Sequence, residues 1–271
     1  MISNEILEEF KKNGIVRIPN FLTGTDLSEI TNLIKYYSAK KGENKSYFIS
    51  GFKSLFSNLL KFNLKKIKDS LFLHNFAKRK EIHSLSKKIF NKNSYLNYID
   101  GYVSPISDKD LIPWHTDQAY QGIEKVSKEY VNPDEYFLKF FIYLSDVDSQ
   151  NGCMNYIPGS HQIGYAIRKG IYEGAIEYKP YWHLKDFRKI LLYSKNINYF
   201  KNYFSNNNII DKFIEDTRFI TENKDTVKYD YTASAGDMIL FDEGGVHRGS
   251  KTLKNERMVL RFLYSIKKKY L

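Results

Sequence analysis

Residues 114–117 read Trp114-His115-Thr116-Asp117, and the interpretation of the whole chain depends most on this tetrapeptide. On an extended segment, residues i and i+2 project to the same side, so His115 and Asp117 can present an imidazole and a carboxylate to one ion. A His-x-Asp triplet alone arises often by chance, and the simpler interpretation is a structural histidine that is hydrogen-bonded to an aspartate. The sequence on either side decides between the two.

Short apolar runs surround the tetrapeptide from about residue 95 onward. They are rich in aromatic and β-branched residues, and turn-forming sequences separate them. The runs cover residues 95–103, 136–144, 154–157, 238–241 and 258–264. Many short strands with glycine and proline turns predict a mainly β protein of the α+β class, built on an antiparallel sandwich or jelly roll.

The remaining parts of the chain differ from this pattern. Residues 1–94 predict a mainly helical N-terminal part with one short strand. Residues 162–232 combine many aromatic side chains with a background rich in Lys and Asn, which predicts a partly helical insertion. We expect a single domain over residues 1–271, in which residues 95–161 and 233–265 form the jelly-roll core and the insertion caps the site.

A second histidine completes a set of metal-binding groups. His247 follows the apolar run at 238–241 and lies where a strand meets a loop. With His115 and Asp117 it supplies two imidazoles and one carboxylate, the donor set of non-haem Fe(II) oxygenases. The sequence therefore predicts a metal site formed by these three residues.

An arginine near the second histidine suggests an anionic cosubstrate. Arg257 lies ten residues after His247 and begins the apolar run at 258–264. An arginine at this position can form a bidentate pair with a carboxylate, and Arg261 falls on the same strand face by parity. Ser250 can donate its hydroxyl to the same carboxylate, with an ordinary loop serine as the alternative.

Five further residues are candidates because of their position. Tyr102 and Lys139 belong to strands that should line the barrel, where either can contact the cosubstrate. Gln118 and Tyr120 follow the metal motif and can line the mouth of a substrate site. His183 lies in the aromatic insertion and can reach a substrate.

Together, these motifs resemble the phytanoyl-CoA dioxygenase-like family of Fe(II)/2-oxoglutarate oxygenases. The matching segments run in order through most of the chain, and the insertion is the part least covered. Residues 10–22 resemble the family's opening helix and strand, and residues 114–117 resemble its first metal motif. Residues 143–147 and 157–161 resemble its central strand and turn, and residues 235–241 resemble its closing strand. His247 matches the distal histidine, and Arg257 matches the cosubstrate arginine. Ser250 follows the distal histidine at a wider spacing than is common in the family.

The resemblance implies a double-stranded β-helix, a variant of the jelly roll, with iron at one mouth. It also implies Fe(II) as the metal, with 2-oxoglutarate and O2 as cosubstrates, and conversion of 2-oxoglutarate to succinate and CO2. Arg257 would hold the far carboxylate of 2-oxoglutarate, with Ser250 and Tyr102 as further contacts. Family halogenases leave the carboxylate position open for halide, so the presence of Asp117 favours hydroxylation.

The positive charge of the chain is concentrated in two segments. The 271 residues include 42 basic and 31 acidic ones, a net charge of +11. Residues 60–92 hold ten basic and two acidic residues, and residues 267–269 are all lysine, so these segments account for the whole excess. Apolar residues at helical spacing in the first segment predict an amphipathic helix with a solvated basic face. An anionic substrate or partner is favoured only if this face lies at the site.

A small molecule is therefore the expected substrate, and nucleic acid is not expected, because the basic residues belong to the helical N-terminal part. Two other functions stay open. One is an oxygenase that acts on a macromolecule through the basic 60–92 segment. The other is a metal-binding jelly-roll protein that does not use O2, which the presence of Arg257 disfavours.

The remaining sequence features concern the compartment. Cys153 is the single cysteine, which excludes an internal disulfide framework. No segment approaches the ~20 apolar residues of a membrane span, and the first residues are charged rather than signal-like. We expect a cytoplasmic protein.

Overall fold

Two antiparallel sheets form the centre of the molecule. The computed structural model describes residues 4–38, 48–50, 61, 63–117, 137–205, 208–220 and 227–267. Within these residues, the larger sheet has six strands in the order β1-β8-β5-β10-β3-β2, and the smaller has four in the order β4-β9-β6-β7. Neighbouring strands come from distant parts of the chain, as the jelly-roll prediction requires.

The N-terminal part contributes both helices and strands. Its elements are α1 (Asn4–Asn13), β1 (Ile15–Ile18), α2 (Gly24–Ser38), β2 (Phe48–Ser50), α3 (Leu64–Arg79) and α4 (Ile82–Phe90). Gly14 ends α1 with a positive φ of 74°, a conformation that glycine adopts without a steric penalty. The short strand expected here is β1, which pairs with β8, whereas β2 pairs with β3 and was not expected.

The β core and the insertion follow the predicted order. The strands are β3 (Tyr95–Ser104), β4 (Ile112–His115), β5 (Phe137–Tyr143), β6 (Met154–Tyr156), β7 (Asp230–Tyr231), β8 (Met238–Asp242), β9 (His247–Gly249) and β10 (Arg257–Ser265). The helices between β6 and β7 are α5 (Ser160–Glu173), α6 (Leu184–Leu192), a 3-10 turn (Ser194–Asn196), α7 (Ile197–Phe204) and α8 (Asn208–Thr217).

The larger sheet has two different faces, because successive side chains of a strand point to opposite sides. On the outer face, Phe262 stacks on Phe76 of α3 with ring centroids 6.2 Å apart. On the inner face, Phe141 and Phe241 pack in one apolar cluster with Tyr156 of the smaller sheet. The two sheets therefore enclose an interior, and the N-terminal helices cover the other side of the larger sheet.

The basic segment lies on this outer side. Helices α3 and α4 bury Leu73, Phe76 and Leu85 against the larger sheet. Their basic residues face outward, where Arg79 and Lys80 both pair with Asp26 of α2. This is the amphipathic arrangement that the sequence predicts. None of the described helices combines the length and apolar character needed to cross a membrane.

The insertion has an apolar cluster of its own. Phe187, Phe200 and Phe213 of its helices are buried together. The same cluster includes Trp114 and Val246, each of which precedes a predicted metal-binding histidine. The insertion is therefore anchored directly behind the two segments that carry these histidines.

Candidate metal centre

The two predicted metal-binding histidines are cross-strand partners. Strands β4 and β9 pair in antiparallel register with His115 opposite His247, and the ring centroids are 4.3 Å apart. Asp117 lies two residues beyond His115, just after the end of β4. One ligand atom from each of the three side chains lies within 4.8 Å of the others, so the structure brings the predicted set together.

Hydrogen bonds define the protonation of both histidines. His115 Nδ1 lies 2.6 Å from the carbonyl oxygen of Pro113, and His247 Nδ1 lies 2.9 Å from that of Gly245. A carbonyl oxygen only accepts hydrogen bonds, so each Nδ1 carries the proton. Burial and the neighbouring His115 lower the pKa of His247, which favours its neutral form. In the neutral form of each ring, with the proton on Nδ1, the Nε2 atom presents a lone pair.

These lone pairs face a carboxylate. His115 Nε2 lies 3.4 Å from Asp117 Oδ1, and His247 Nε2 lies 3.0 Å from Asp117 Oδ2. Acceptor atoms this close repel each other unless a cation lies between them. Ligand atoms about 2.1 Å from one ion and at right angles are about 3.0 Å apart, so the separations fit a six-coordinate divalent ion.

A buried lysine holds the other side of the carboxylate. Lys139 Nζ lies 2.6 Å from Asp117 Oδ2 and 3.0 Å from Glu243 Oε1. Burial raises the pKa of Asp117, but the charge of Lys139 opposes this, and the pKa lies well below its usual range. Burial raises the pKa of Glu243, and the charge of Lys139 opposes this only in part.

The sequence predicts only part of this arrangement. It favours Lys139 as a contact of the cosubstrate, whereas the structure places its ammonium group on the carboxylate of Asp117. It did not identify Glu243. The available signal was an acidic residue between the buried strand β8 and the glycine pair at 244–245.

Aromatic side chains enclose the centre, and one of them comes from the insertion. The rings of Phe241 and Tyr156 lie 5.2 Å and 6.2 Å from the ring of His247. The ring of Trp182 lies 4.9 Å from that of His115, and its carbonyl oxygen accepts a hydrogen bond from the Thr116 amide. The insertion thus reaches the metal-binding segment itself.

Arg257, the predicted cosubstrate residue, is buried and begins β10 opposite Ser104. Its Nη1 donates to the carbonyl oxygen of Gly152, and its Nη2 donates to the hydroxyls of Tyr102 and Ser104 at 3.2 and 3.3 Å. Its Nε is buried without a hydrogen-bond partner. All of these partners are neutral, so within the described residues the guanidinium lacks the carboxylate that normally accompanies a buried cation.

The neighbouring candidates fall into three groups. Tyr102 contacts Arg257 as described, whereas Ser104 was missed because a serine at the end of a strand carries no distinctive sequence signal. Arg261 lies on the same face, as parity predicts, and forms a bidentate pair with Asp100. Ser250 donates to the carbonyl oxygen of Cys153 at 2.7 Å, and its role toward a cosubstrate stays a prediction.

Of the other position-based candidates, His183 belongs to the described residues. His183 forms an isolated β-bridge with His115, so it lies beside the metal-binding segment. Its Nδ1 is buried and has no hydrogen-bond partner within the part of the chain that the structure describes. Gln118 and Tyr120 lie outside the described residues.

Solved structures share this fold over nearly the whole chain. The carbocyclase SnoK from nogalamycin biosynthesis, a non-haem α-ketoglutarate-dependent enzyme, is 16% identical, with 97% of this chain and 84% of that chain covered and a TM-score of 0.56. HygX from Streptomyces hygroscopicus, with nickel and 2-oxoglutarate bound, is 14% identical, with 97% and 87% covered and a TM-score of 0.59.

A third similar structure is EvdO2 from Micromonospora carbonacea var. aurantiaca, complexed with 2-oxoglutarate. It is 14% identical, with 98% of this chain and 91% of that chain covered and a TM-score of 0.52. Identities this low concern the fold alone, and they confirm the double-stranded β-helix. No curated protein matches the chain significantly in sequence.

A family model supplies the assignment that the fold alone does not. The model described as phytanoyl-CoA dioxygenase (PhyH) matches residues 10–255, a range that holds all three candidate metal ligands and every described strand except β10. The chain belongs to the phytanoyl-CoA dioxygenase family.

Proposed function

We propose that the protein is an Fe(II)- and 2-oxoglutarate-dependent oxygenase that hydroxylates a small molecule. The proposal rests on one observation: the same fold holds a His-Asp-His set and a buried arginine, Arg257, that has no anionic partner among the described residues. The first fits a divalent metal and the second fits a carboxylate. Family membership and the ligands bound by HygX and EvdO2 support the same choice of cofactors.

The roles of the residues follow from their contacts. His115, Asp117 and His247 hold the iron, and the iron with 2-oxoglutarate supplies the oxidising chemistry when both are bound. The Nδ1 hydrogen bonds to carbonyl oxygens orient the two imidazoles, as outer contacts of metal-binding histidines commonly do. Phe241 and Tyr156 keep water from one side of the centre.

Arg257 binds the far carboxylate of 2-oxoglutarate. Its buried Nε and its Nη groups supply several donors on one plane, which suits a bidentate carboxylate. Tyr102 and Ser104 orient the guanidinium by accepting from Nη2. Ser250 is adjacent to this region through Cys153 and is proposed as a further cosubstrate contact.

The insertion caps the centre and selects the substrate. Trp182 places an aromatic ring against His115, and His183 offers a buried ring nitrogen that no described residue uses. A polar group of a small substrate can pair with that nitrogen while an apolar part packs on the indole. The basic helices α3 and α4 lie on the outer side of the larger sheet, which favours a small substrate over a macromolecule.

The assay is conversion of 2-oxoglutarate to succinate under O2 with Fe(II) and a panel of small molecules. Hydroxylation adds one oxygen atom to the substrate, which mass spectrometry detects. Similar folds include a carbocyclase and an epimerase, for which the product would lose two hydrogen atoms or keep its mass. Failure to bind both Fe(II) and 2-oxoglutarate would remove the oxygenase proposal, and a product without added oxygen would replace hydroxylation.

A further inference from the structure

A cluster of three charged side chains, Asp117, Lys139 and Glu243, lies beside the candidate metal ligands. Lys139 comes from the centre of the larger sheet, where β10 and β8 flank β5 on its two sides. Its ammonium group bridges the two carboxylates, and both Lys139 and Glu243 are buried. In this charge cluster the lysine is the only cation in contact with the metal-binding carboxylate within the described part of the chain.

The ammonium group of Lys139 places one positive charge beside the candidate metal ligands, in contact with two carboxyl groups. The divalent ion is a cation, and the cosubstrate is a dianion. Electrostatic interactions in a buried site are weakly screened, so a fixed positive charge there lowers the affinity for the ion and raises the affinity for the cosubstrate.

The contact geometry brings this charge close to the candidate ligands. Lys139 Nζ binds Oδ2 of Asp117, and the same oxygen lies 3.0 Å from His247 Nε2. The ammonium group and an ion held by Asp117 would therefore share one carboxylate, so the charge of Lys139 would act on the ion at short range.

We propose that Lys139 is a positioning residue that divides affinity between metal and cosubstrate. Its charge weakens binding of the divalent metal and strengthens binding of 2-oxoglutarate. The inference rests on the proposed function, since it assigns a role at the same centre. A purely structural lysine, present only to neutralise Asp117 and Glu243 in the fold, would affect both ligands in the same direction.

The test is a pair of binding measurements on Lys139→Met. Mn(II) is titrated into the metal-free protein by calorimetry, and 2-oxoglutarate is then titrated into the Mn(II) form, which avoids turnover. We expect Mn(II) to bind more tightly by roughly tenfold or more, and 2-oxoglutarate to bind more weakly by a similar factor. Lys139→Arg keeps the charge and should stay within about threefold of the unsubstituted protein for both ligands.

Folding is controlled within the same experiment. Removing Lys139 leaves two buried carboxylates without a cation, so the metal-free variant should unfold at lower temperature. Mn(II) replaces the missing charge and should raise the unfolding temperature more in Lys139→Met than in the unsubstituted protein. Lys139→Gln, which keeps a donor but no charge, gives a second uncharged variant if the methionine variant does not fold.

The outcomes separate the two proposals. If the unsubstituted protein binds neither Mn(II) nor 2-oxoglutarate, the proposed function fails. If it binds both, and the uncharged variants weaken both ligands together or change neither, the role of Lys139 is overturned while the proposed function stands. Opposite shifts in the uncharged variants, absent in Lys139→Arg, support the inference.

Discussion

The two faces of the six-stranded sheet use the same strands for opposite purposes. On β5, Phe140 packs outward into the apolar core under the helices, while the next residue toward the N-terminus, Lys139, points inward to the charge cluster. On β10, Phe262 points outward while Arg261 and Arg257 point inward. The outer face stabilises the fold, and the inner face holds charges whose burial needs a ligand or a partner.

The two sides of the sheet also carry two kinds of positive charge. The basic residues of α3 and α4 are solvated or paired at the surface, where each is worth little. The cations of the inner face are largely withdrawn from solvent. Removing such a cation has a large effect on the charged group or ligand that it pairs with.

A histidine on the inner side of the six-stranded sheet should be essential for metal binding, and a histidine on the outer side should not. His247→Ala removes a proposed metal ligand, so metal-dependent turnover should fall below detection and divalent-metal binding should be lost. His83→Ala is the matched control, because His83 lies on the outer side against Tyr264. Titration of Mn(II) into both variants checks the prediction. Retained metal binding in His247→Ala would remove that residue from the centre.

An outer-face aromatic residue should matter for stability alone. Phe262 is fully buried, and Phe262→Ala should lower the free energy of unfolding by about 3–5 kcal/mol. The folded fraction should bind Mn(II) with unchanged affinity, because the ring contacts Phe76 and not the inner face. Urea denaturation and calorimetry measure the two quantities. A large loss of metal affinity would show that the faces are not independent.

Arg257 should affect the cosubstrate and spare the metal. Arg257→Met removes the proposed carboxylate partner, so 2-oxoglutarate should bind roughly a hundredfold more weakly. Arg79→Met, which removes a surface pair with Asp26, is the control and should change binding less than twofold. Equal weakening of Mn(II) and 2-oxoglutarate by Arg257→Met would indicate a folding role instead.

The sequence predicted the fold and the functional groups better than their exact contacts. The β strands, the amphipathic basic helices and the set His115, Asp117 and His247 follow from alternation, helical spacing and motif order. The cross-strand pairing of the two histidines could not be predicted, because strand register depends on contacts between distant segments. For the same reason, sequence could place Lys139 inside the barrel and still not identify Asp117 and Glu243 as its partners.

His161 shows how burial acts on a titratable side chain, even with the carboxylate of Asp242 nearby. Burial lowers its pKa, so the folded protein keeps it neutral while the unfolded chain takes up a proton as pH falls below about 6.5. The unfolded state then binds more protons, and stability falls with decreasing pH by up to about 1.4 kcal/mol per pH unit. His161→Gln should make this slope shallower between about pH 7 and pH 5.5 in denaturant titrations. An unchanged slope would contradict a lowered pKa.

The surface lysines should have the smallest effect. The double substitution Lys87→Gln with Lys88→Gln removes two exposed charges from α4 and should change stability by less than about 0.5 kcal/mol. Turnover of a small substrate should be unchanged across a salt series. A macromolecular substrate that used the basic segment would instead give a marked loss of turnover and a steep dependence on salt.

The central claim is that the inner face holds one divalent iron and one 2-oxoglutarate at adjoining sites. The most direct measurement is an anaerobic titration of the metal-free protein with Fe(II) and then with 2-oxoglutarate, followed by visible absorption. We expect one Fe(II) per chain, and then a new metal-to-ligand charge-transfer band on addition of 2-oxoglutarate. Arg257→Met should require a much higher 2-oxoglutarate concentration for the same band. Binding of 2-oxoglutarate without iron at the same affinity, or no new absorption at saturation, would contradict the claim.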